Sequence, residues 1–258
     1  MNAPVVLSFD LDDTLWAVEP VITAAESAMQ SWLRERHPQI MRGHTLESLR
    51  ALRMAIAERF PERSHDMTFL RHRALTEMFA AAGYPVAHAD EAFEVFYAER
   101  NRVKLYDEVE ASLERLSRRY RLFALSNGNA DLQRCGVARW FEGHITAISA
   151  GAAKPDVRIF NRLLDEAGVE AASVVHVGDD PDLDVVGAVQ AGIQGVWLNR
   201  NGKPWPAHLP PPSRIISTLE EIIWRFSSLR TRLLTKSTWK NRHFLTPVRV
   251  FRVHLGVA

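Results

Sequence analysis

Cysteine is nearly absent from this 258-residue sequence: Cys135 stands alone. One thiol closes no internal disulfide and supplies no cysteine-based zinc site, so the fold must rest on its apolar core. Long apolar runs are missing too, and with them any stretch of about 20 residues that would cross a bilayer as a helix. Residues 1–10 contain no Lys or Arg and only a short apolar run before Asp10, which is not the pattern of a secretory leader. A cytoplasmic, reducing setting is expected. Acidic residues are absent from the C-terminal end: Arg225 to Ala258 holds eight Lys/Arg and no Asp/Glu. The remaining 24 Lys/Arg face 31 Asp/Glu, so a formal charge of +1 conceals an acidic body of net −7 and a basic tail. Nucleic acid or an anionic membrane is therefore expected as a partner only through the tail, where Trp239, Phe244 and Phe251 accompany the charges. The plainer reading of that tail is a loosely ordered extension, with a weak strand signal around Val248, Val250 and Val253.

What is present is ordinary globular material, 47% hydrophobic and 24% charged. Val5 to Phe9 reads as a buried strand ending in acids. Helical spacing follows. Ile22, Ala25, Met29, Trp32 and Leu33 mark one helix, closed by Pro38. Leu46, Leu49, Leu52, Ile56 and Phe60 mark a second, and Phe69, Leu70, Leu75, Met78 and Phe79 a third, stopped at Gly83. Ala92 to Val103 is a fourth. From there strands and helices alternate: a helix over Tyr106–Arg119, strands at Leu122–Leu125 and Ile145–Ile148, a helix over Asp156–Ala167, a strand at Val174–Val177, a helix over Leu183–Ala191 and a strand at Val196–Leu198. This rhythm predicts an α/β fold: a Rossmann-like parallel sheet with helices on both faces, and an inserted helical bundle acting as a cap. The core is expected at 1–16 and 104–226, the cap at 17–103 and the basic extension at 227–258. Pro204 to Pro212 reads as a stiff loop.

Three of these strands end in polar residues, and ligands of parallel sheets sit outside the carboxyl ends of the strands. Asp10, Asp12, Asp13 and Thr14 follow the first strand, Ser126, Asn127 and Gly128 the second, and Gly178, Asp179, Asp180, Asp182 and Asp184 the fourth. Lys154 precedes Pro155 between the last two groups. Converging carboxylates repel one another unless a cation joins them. An all-oxygen donor set suits Mg²⁺ rather than zinc. A carboxylate nucleophile, a lysine, a serine and a metal together suit phosphoryl transfer, with a second carboxylate two residues on serving as acid and then base.

The run from Phe9 to Leu15 resembles the first motif of the haloacid dehalogenase-like (HAD) superfamily. Ser126 with Asn127 and Gly128, Lys154 with Pro155, and Gly178-Asp179 through Asp184 resemble its second, third and fourth motifs, in order. The resemblance spans about residues 4–224. It implies Asp10 as nucleophile and Mg²⁺ ligand, Asp12 as general acid/base with its backbone carbonyl on the metal, and Asp179 as the acidic metal ligand. It implies Ser126 and Lys154 as holders of the phosphoryl group, with Asn127 and Gly128 offering backbone N–H groups. Asp180 and Asp184 stay open between holding a metal-bound water and pairing with Lys154. Dehalogenases of the superfamily lack an aspartate at the position of Asp12, so its presence implies a phosphatase or phosphotransferase acting on a small phosphomonoester. The flanks, Trp16 with Glu19-Pro20-Val21-Ile22, Asn129-Ala130, His176-Val177 and the segment His65–Arg73, are similar to bacterial flavin-pathway phosphatases. Those enzymes dephosphorylate 5-amino-6-(5-phospho-D-ribitylamino)uracil and FMN. Another sugar phosphate or nucleotide is the alternative substrate class. A non-catalytic protein binding through its basic tail is the competing function. Oligomeric state has no signal here.

Plainer roles compete at several positions. Asp13 and Asp182 read as caps of the following helices, and Asn129 as the N-cap of the next one. His176 reads as a core histidine and Cys135 as inert. Trp16 is open between stacking on a substrate ring and packing at the base of the cap. Arg71, Arg73, Arg100 and Arg102 can reach a substrate, but each taken singly reads as solvated surface.

Overall fold

The computed structural model describes residues 5–222; the basic tail from Arg225, including the expected extension at 227–258, lies outside the described residues. Six parallel strands form one sheet in the order β3-β2-β1-β4-β5-β6. They are β1 (Val6–Phe9), β2 (Arg121–Ser126), β3 (Gly143–Thr146), β4 (Val174–Gly178), β5 (Gln194–Leu198) and β6 (Ile215–Ile216). β1 and β4 are buried along their whole length, as strands covered on both faces must be. Alternate residues serve opposite sides. Leu7, Phe9, Leu122, Ala124, Val175 and Val177 pack with Val109, Leu113 and Leu116 of α6 (Val109–Ser117). Val6, Phe123, Leu125 and Val174 face Ile159, Phe160 and Leu163 of α8 (Val157–Ala167) and Ala188 of α9 (Gly187–Gln190).

The register places the site. Phe9 stands opposite Ala124 on one side and Val177 on the other, so Asp10, Leu125 and Gly178 follow at one level. β1 is where the strand order reverses, since the chain builds outward to β2 and β3 and then to β4, β5 and β6. A crevice at the carboxyl ends of the strands follows from that reversal.

Between β1 and α6 come five α-helices: α1 (Val18–Arg36), α2 (Pro38–Gly43), α3 (Leu46–Arg59), α4 (Met67–Ala81) and α5 (His88–Arg100). Ala25, Met29 and Leu33 of α1, Leu75 and Phe79 of α4, and Phe96 of α5 share a core of their own. Complete burial of Leu33, Phe79 and Phe96 stabilises this insert by roughly 1.5–3 kcal/mol each. Thr45 and Ser48 form a reciprocal cap on α3, and Asp66 accepts the Phe69 N–H at the start of α4.

Several expectations shift. Pro38 does close α1, but it also opens the short α2, because proline at a first helical position forfeits no hydrogen bond. The fourth insert helix begins and ends earlier than Ala92–Val103, and the helix expected from Tyr106 starts only at Val109. The strand expected over Ile145–Ile148 stops at Thr146, whose side chain caps a single helical turn, α7 (Ala147–Ala150), leaving Ile148 exposed. The helix expected from Leu183 begins as a π-helical turn at Pro181. β6 carries no sequence signal; its two residues pair because Ile216 lies beside Leu198.

Candidate active site

The chain leaves β1 in a tight loop. Leu15 N–H donates to Leu11 O at 2.7 Å and Asp13 N–H to Trp16 O at 2.7 Å. Asp13 takes up left-handed backbone (φ 57°), which aspartate tolerates better than most residues. Its Oδ1 accepts the Val18 N–H at 2.9 Å, so Asp13 supports the start of α1 as expected of a capping acid. Asp10 and Asp12 are left on the other side of the loop. With Ser126, Asn127, Gly128, Lys154, Asp179, Asp180, Leu183 and Asp184 they line one cavity of about 190 Å³.

Lys154 is the electrostatic centre. It is 5% exposed, and its Nζ donates to Asp10 Oδ1 at 2.5 Å, Asp184 Oδ1 at 2.6 Å and Leu125 O at 3.2 Å. Its backbone is held by Asn127, whose Nδ2 donates to Lys154 O at 3.0 Å and whose Oδ1 accepts the Lys154 N–H at 2.7 Å. The Asn127 side chain therefore fixes the lysine. Ser126 Oγ accepts the Gly128 N–H at 3.0 Å. A methyl group on Gly128 would lie 2.9 Å from Asp12 Oδ2, 3.2 Å from Arg100 Nη2 and 3.3 Å from Ser126 Oγ, so glycine keeps this corner open.

Asp184 pairs with Lys154, one of the two roles the sequence left open for it. Its Oδ2 also accepts the Asp180 N–H at 3.0 Å, and its Oδ1 lies 3.1 Å from His176 Nε2. The carboxyl group packs so closely on β4 that a Cβ at Gly178 would sit 2.1 Å from Asp184 Cγ. Asp180 instead accepts the N–H groups of Asp182 and Leu183, which makes it, and not Asp182, the cap of the turn. His176, fully buried, also meets Ser8 Oγ at 2.8 Å and so buttresses Asp184 from behind the sheet. Asn129, expected as a helix cap, donates to Thr68 Oγ1 of α4 at 3.1 Å. Asp131 accepts the N–H groups of the turn that follows.

The charges are not balanced. Burial, with Asp184 and Asp179 nearby, holds the Asp10 carboxyl well above the usual range despite Lys154. Burial acts the same way on Asp184, but Lys154 and His176 outweigh it and hold that group low. Burial disfavours the Lys154 ammonium, yet Asp10 and Asp184 keep it firmly charged. Asp179, whose Oδ1 accepts the Thr14 hydroxyl at 3.2 Å, is pushed up to about 7 by burial and by the charges of Asp184 and Asp13. One carboxylate oxygen each from Asp10, Asp179 and Asp184 lie within 4.8 Å of one another. Three hard oxygen donors with a single lysine between them are deficient in positive charge, and that set fits Mg²⁺.

Two more residues complete the arrangement, Trp16 by the packing that was one of its two expected roles and Arg100 against expectation. Trp16 is fully buried and its Nε1 donates to Asp12 Oδ1 at 2.8 Å. Arg100, read as solvated, is 1% exposed, and its Nη2 donates to both Asp12 oxygens. Its position at the end of α5 carries no strand-end signal. The available clue was an arginine on the helix face that also carries Phe96. Cys135 is half-buried and pushed up to about 11 by burial, in keeping with an inert thiol.

The haloacid dehalogenase-like hydrolase family model matches residues 6–192. This chain belongs to that family. It is 32% identical over 213 residues to the 5-amino-6-(5-phospho-D-ribitylamino)uracil phosphatase YigB of Escherichia coli, covering 80% of this chain and 89% of that protein. It is 37% identical over 151 residues to the phosphoserine phosphatase of Thermus thermophilus, covering 56% and 61% of the two chains. A solved structure described as a 2-haloacid dehalogenase from Pseudomonas syringae superposes with a TM-score of 0.82 at 37% identity, over 88% of this chain and 99% of that one. The six-stranded parallel sheet is thus the α/β fold expected of this family.

Proposed function

We propose that this protein is a Mg²⁺-dependent phosphatase of small phosphomonoesters, working through an aspartyl-phosphate on Asp10. The observation that carries this reading is Asp12. It lies two residues beyond the nucleophile and lines the same cavity as Asp10, Ser126, Lys154 and Asp179. A dehalogenase has no leaving oxygen to protonate and no use for an acid there. The helices at 17–103 are the cap, and of the core expected at 1–16 and 104–226 the described residues 5–16 and 104–222 carry the sheet.

In the first step an Asp10 oxygen bonds to phosphorus as the bond to the leaving oxygen breaks, and Asp12 delivers a proton to that oxygen. In the second, Asp12 takes a proton from water as the water oxygen bonds to phosphorus. The aspartyl–phosphate bond breaks, releasing inorganic phosphate and restoring the carboxylate. Lys154 and Ser126 hold the phosphoryl oxygens, and Asn127 keeps Lys154 in place. Asp10, Asp179 and Asp184, with the backbone carbonyl of Asp12, are the residues to hold Mg²⁺. When bound, the ion supplies positive charge that offsets the crowded carboxylates and the phosphoryl group. Asp180, occupied as a cap, is left out of this set.

The substrate supported best is 5-amino-6-(5-phospho-D-ribitylamino)uracil or FMN. The support is the long alignment with the Escherichia coli enzyme. The alternative is a phosphorylated amino acid, sugar or nucleotide, which the shorter alignment with a phosphoserine phosphatase keeps in view. Phosphate release from these esters with Mg²⁺ and with EDTA is the test, using native protein and Asp10→Asn. Release that needs Mg²⁺ and falls at least about 10⁴-fold in the variant is expected. Undiminished release by Asp10→Asn overturns the nucleophile.

A further inference from the structure

Two residues outside the four motifs bear on Asp179. Trp197 of β5 donates its Nε1–H to the Asp179 backbone carbonyl at 2.8 Å, which fixes the main chain there. What stays adjustable is the carboxylate, whose Oδ1 accepts the Thr14 hydroxyl. The second residue is Arg200, two positions beyond the end of β5. Its side chain is 13% exposed and serves three partners. Nη2 and Nε donate to Thr14 O at 2.8 and 3.3 Å. Nη1 lies 2.7 Å from Glu108 Oε1. The guanidinium carbon lies 4.0 Å from the centre of the Tyr106 ring.

These partners belong to the two crossings that join core and insert. The chain leaves the core at Trp16 and returns at Leu105. There the two residues bridge, and the Tyr106 N–H donates to Leu15 O at 3.0 Å. Arg200 holds the outgoing chain at Thr14 and the returning chain at Tyr106 and Glu108. A guanidinium presents separate donors to the two sides, which the single nitrogen of a lysine does not.

Thr14 passes this restraint on. It is fully buried, so its polar groups need partners inside the protein. Among the described residues no other donor reaches its carbonyl. Its hydroxyl lies 3.2 Å from Asp179 Oδ1, at the long end of the range for such a bond, so a small displacement breaks it. The β-branched side chain is stiff about χ1, and the hydroxyl therefore follows the backbone that Arg200 holds.

We infer that Arg200 is a positioning residue for Asp179, acting through the carbonyl and hydroxyl of Thr14, and that without it the converging carboxylates hold a divalent cation less tightly. Groups behind a metal ligand commonly account for about 10–100-fold in affinity. The inference rests on the reading of Asp179 as a Mg²⁺ ligand and adds to it a residue 186 positions from Thr14.

The test is a Mg²⁺ titration without substrate, followed by isothermal calorimetry and by the metal-induced rise in melting temperature. It does not depend on turnover. Arg200→Met and Thr14→Val are each expected to weaken Mg²⁺ binding about 10-fold. The double variant should also lose about 10-fold, because both changes cut one path. Thr14→Ser keeps the hydroxyl and should recover most of the affinity. Arg200→Lys keeps a charge opposite Glu108, so it should restore the metal-free melting temperature but not the affinity, a split that a merely structural arginine would not give. Native affinity in Arg200→Met overturns the inference, as does a double variant whose losses multiply to about 100-fold. If Arg200→Met does not fold, native affinity in Arg200→Lys overturns it instead. A native protein that binds no Mg²⁺ removes the metal reading, and the inference with it.

Discussion

Arg100, the last residue of α5, sets one nitrogen 2.9 Å from Oδ1 and 2.6 Å from Oδ2 of Asp12, 88 residues away in sequence. Trp16 Nε1 adds a third bond, to Oδ1. A residue of the helical insert therefore orients the carboxyl group proposed to move protons in the core. Any shift of α5 reaches Asp12 directly.

Loss of that orientation should cost turnover. Arg100→Ala is expected to lower kcat by about 10²-fold, since displacing a reacting group by an ångström carries a penalty of that size. Arg100→Lys should restore part of it. A steady-state comparison across esters with good and poor leaving groups checks the assignment. The deficit should be largest where the leaving oxygen most needs a proton, which a purely structural defect would not reproduce.

Lys154 offsets two buried carboxylates, so its removal should destabilise the whole core. Lys154→Met is expected to cost about 3–5 kcal/mol, the penalty for stranding buried charge. In a chain of this size that lowers the melting temperature by roughly 6–20 °C. Adding Asp184→Asn to the same chain should recover part of the loss, because the two changes act on one ion pair. Thermal melts of the single and double variants measure this coupling.

Mg²⁺ should raise the melting temperature as well as support turnover. At 100 times its dissociation constant a ligand stabilises the fold by about 2.7 kcal/mol. Asp179→Asn removes one of the three converging carboxylates and is expected to abolish most of the Mg²⁺-induced shift while retaining the metal-free melting point within a few degrees. Scanning calorimetry with and without the ion checks both statements.

His37 makes the insert sensitive to acid. It is buried among Trp32, Phe79, Tyr84 and His88, and neither ring nitrogen has a partner among the described residues. Burial, then the neighbouring His88, holds its imidazole below the ordinary value of 6.5; Arg36 acts in the same sense and Glu91 against it. The unfolded chain thus binds this proton more readily than the folded one. The stability is present above pH 6.5 and is lost as pH falls through 6.5 toward the lowered folded value. Melting temperatures between pH 7.5 and 5 should decline less steeply in His37→Phe than in the native protein.

Strand ends were legible because burial on both faces leaves a simple signature, a short apolar run closed by acids. Asp10, Asp12 and Asp179 were named from that signature, Ser126 and Lys154 from their resemblance to the family's second and third motifs, and the structure gathers all five around one cavity. Asn127 was legible as a position but not as a contact. Its amide turns to the Lys154 backbone, which no local pattern announces. Ile148 misled because an apolar β-branched residue after Ile145 extends a strand pattern, whereas the Thr146–Ser149 cap won the competition for the backbone.

The sequence by itself determined the α/β class, the parallel sheet, the helical insert after β1 and the order in which acids, serine and lysine arrive. Each is written in short-range periodicity and in residue type. Only the tertiary structure decided that Asp184 rather than Asp180 pairs with Lys154, that Arg100 holds Asp12, and that Arg71 is buried without a hydrogen-bond partner among the described residues. Burial is a property of what packs against a side chain. For Arg71 those neighbours come from three different helices, α1, α3 and α5, at distances along the chain that no local pattern records.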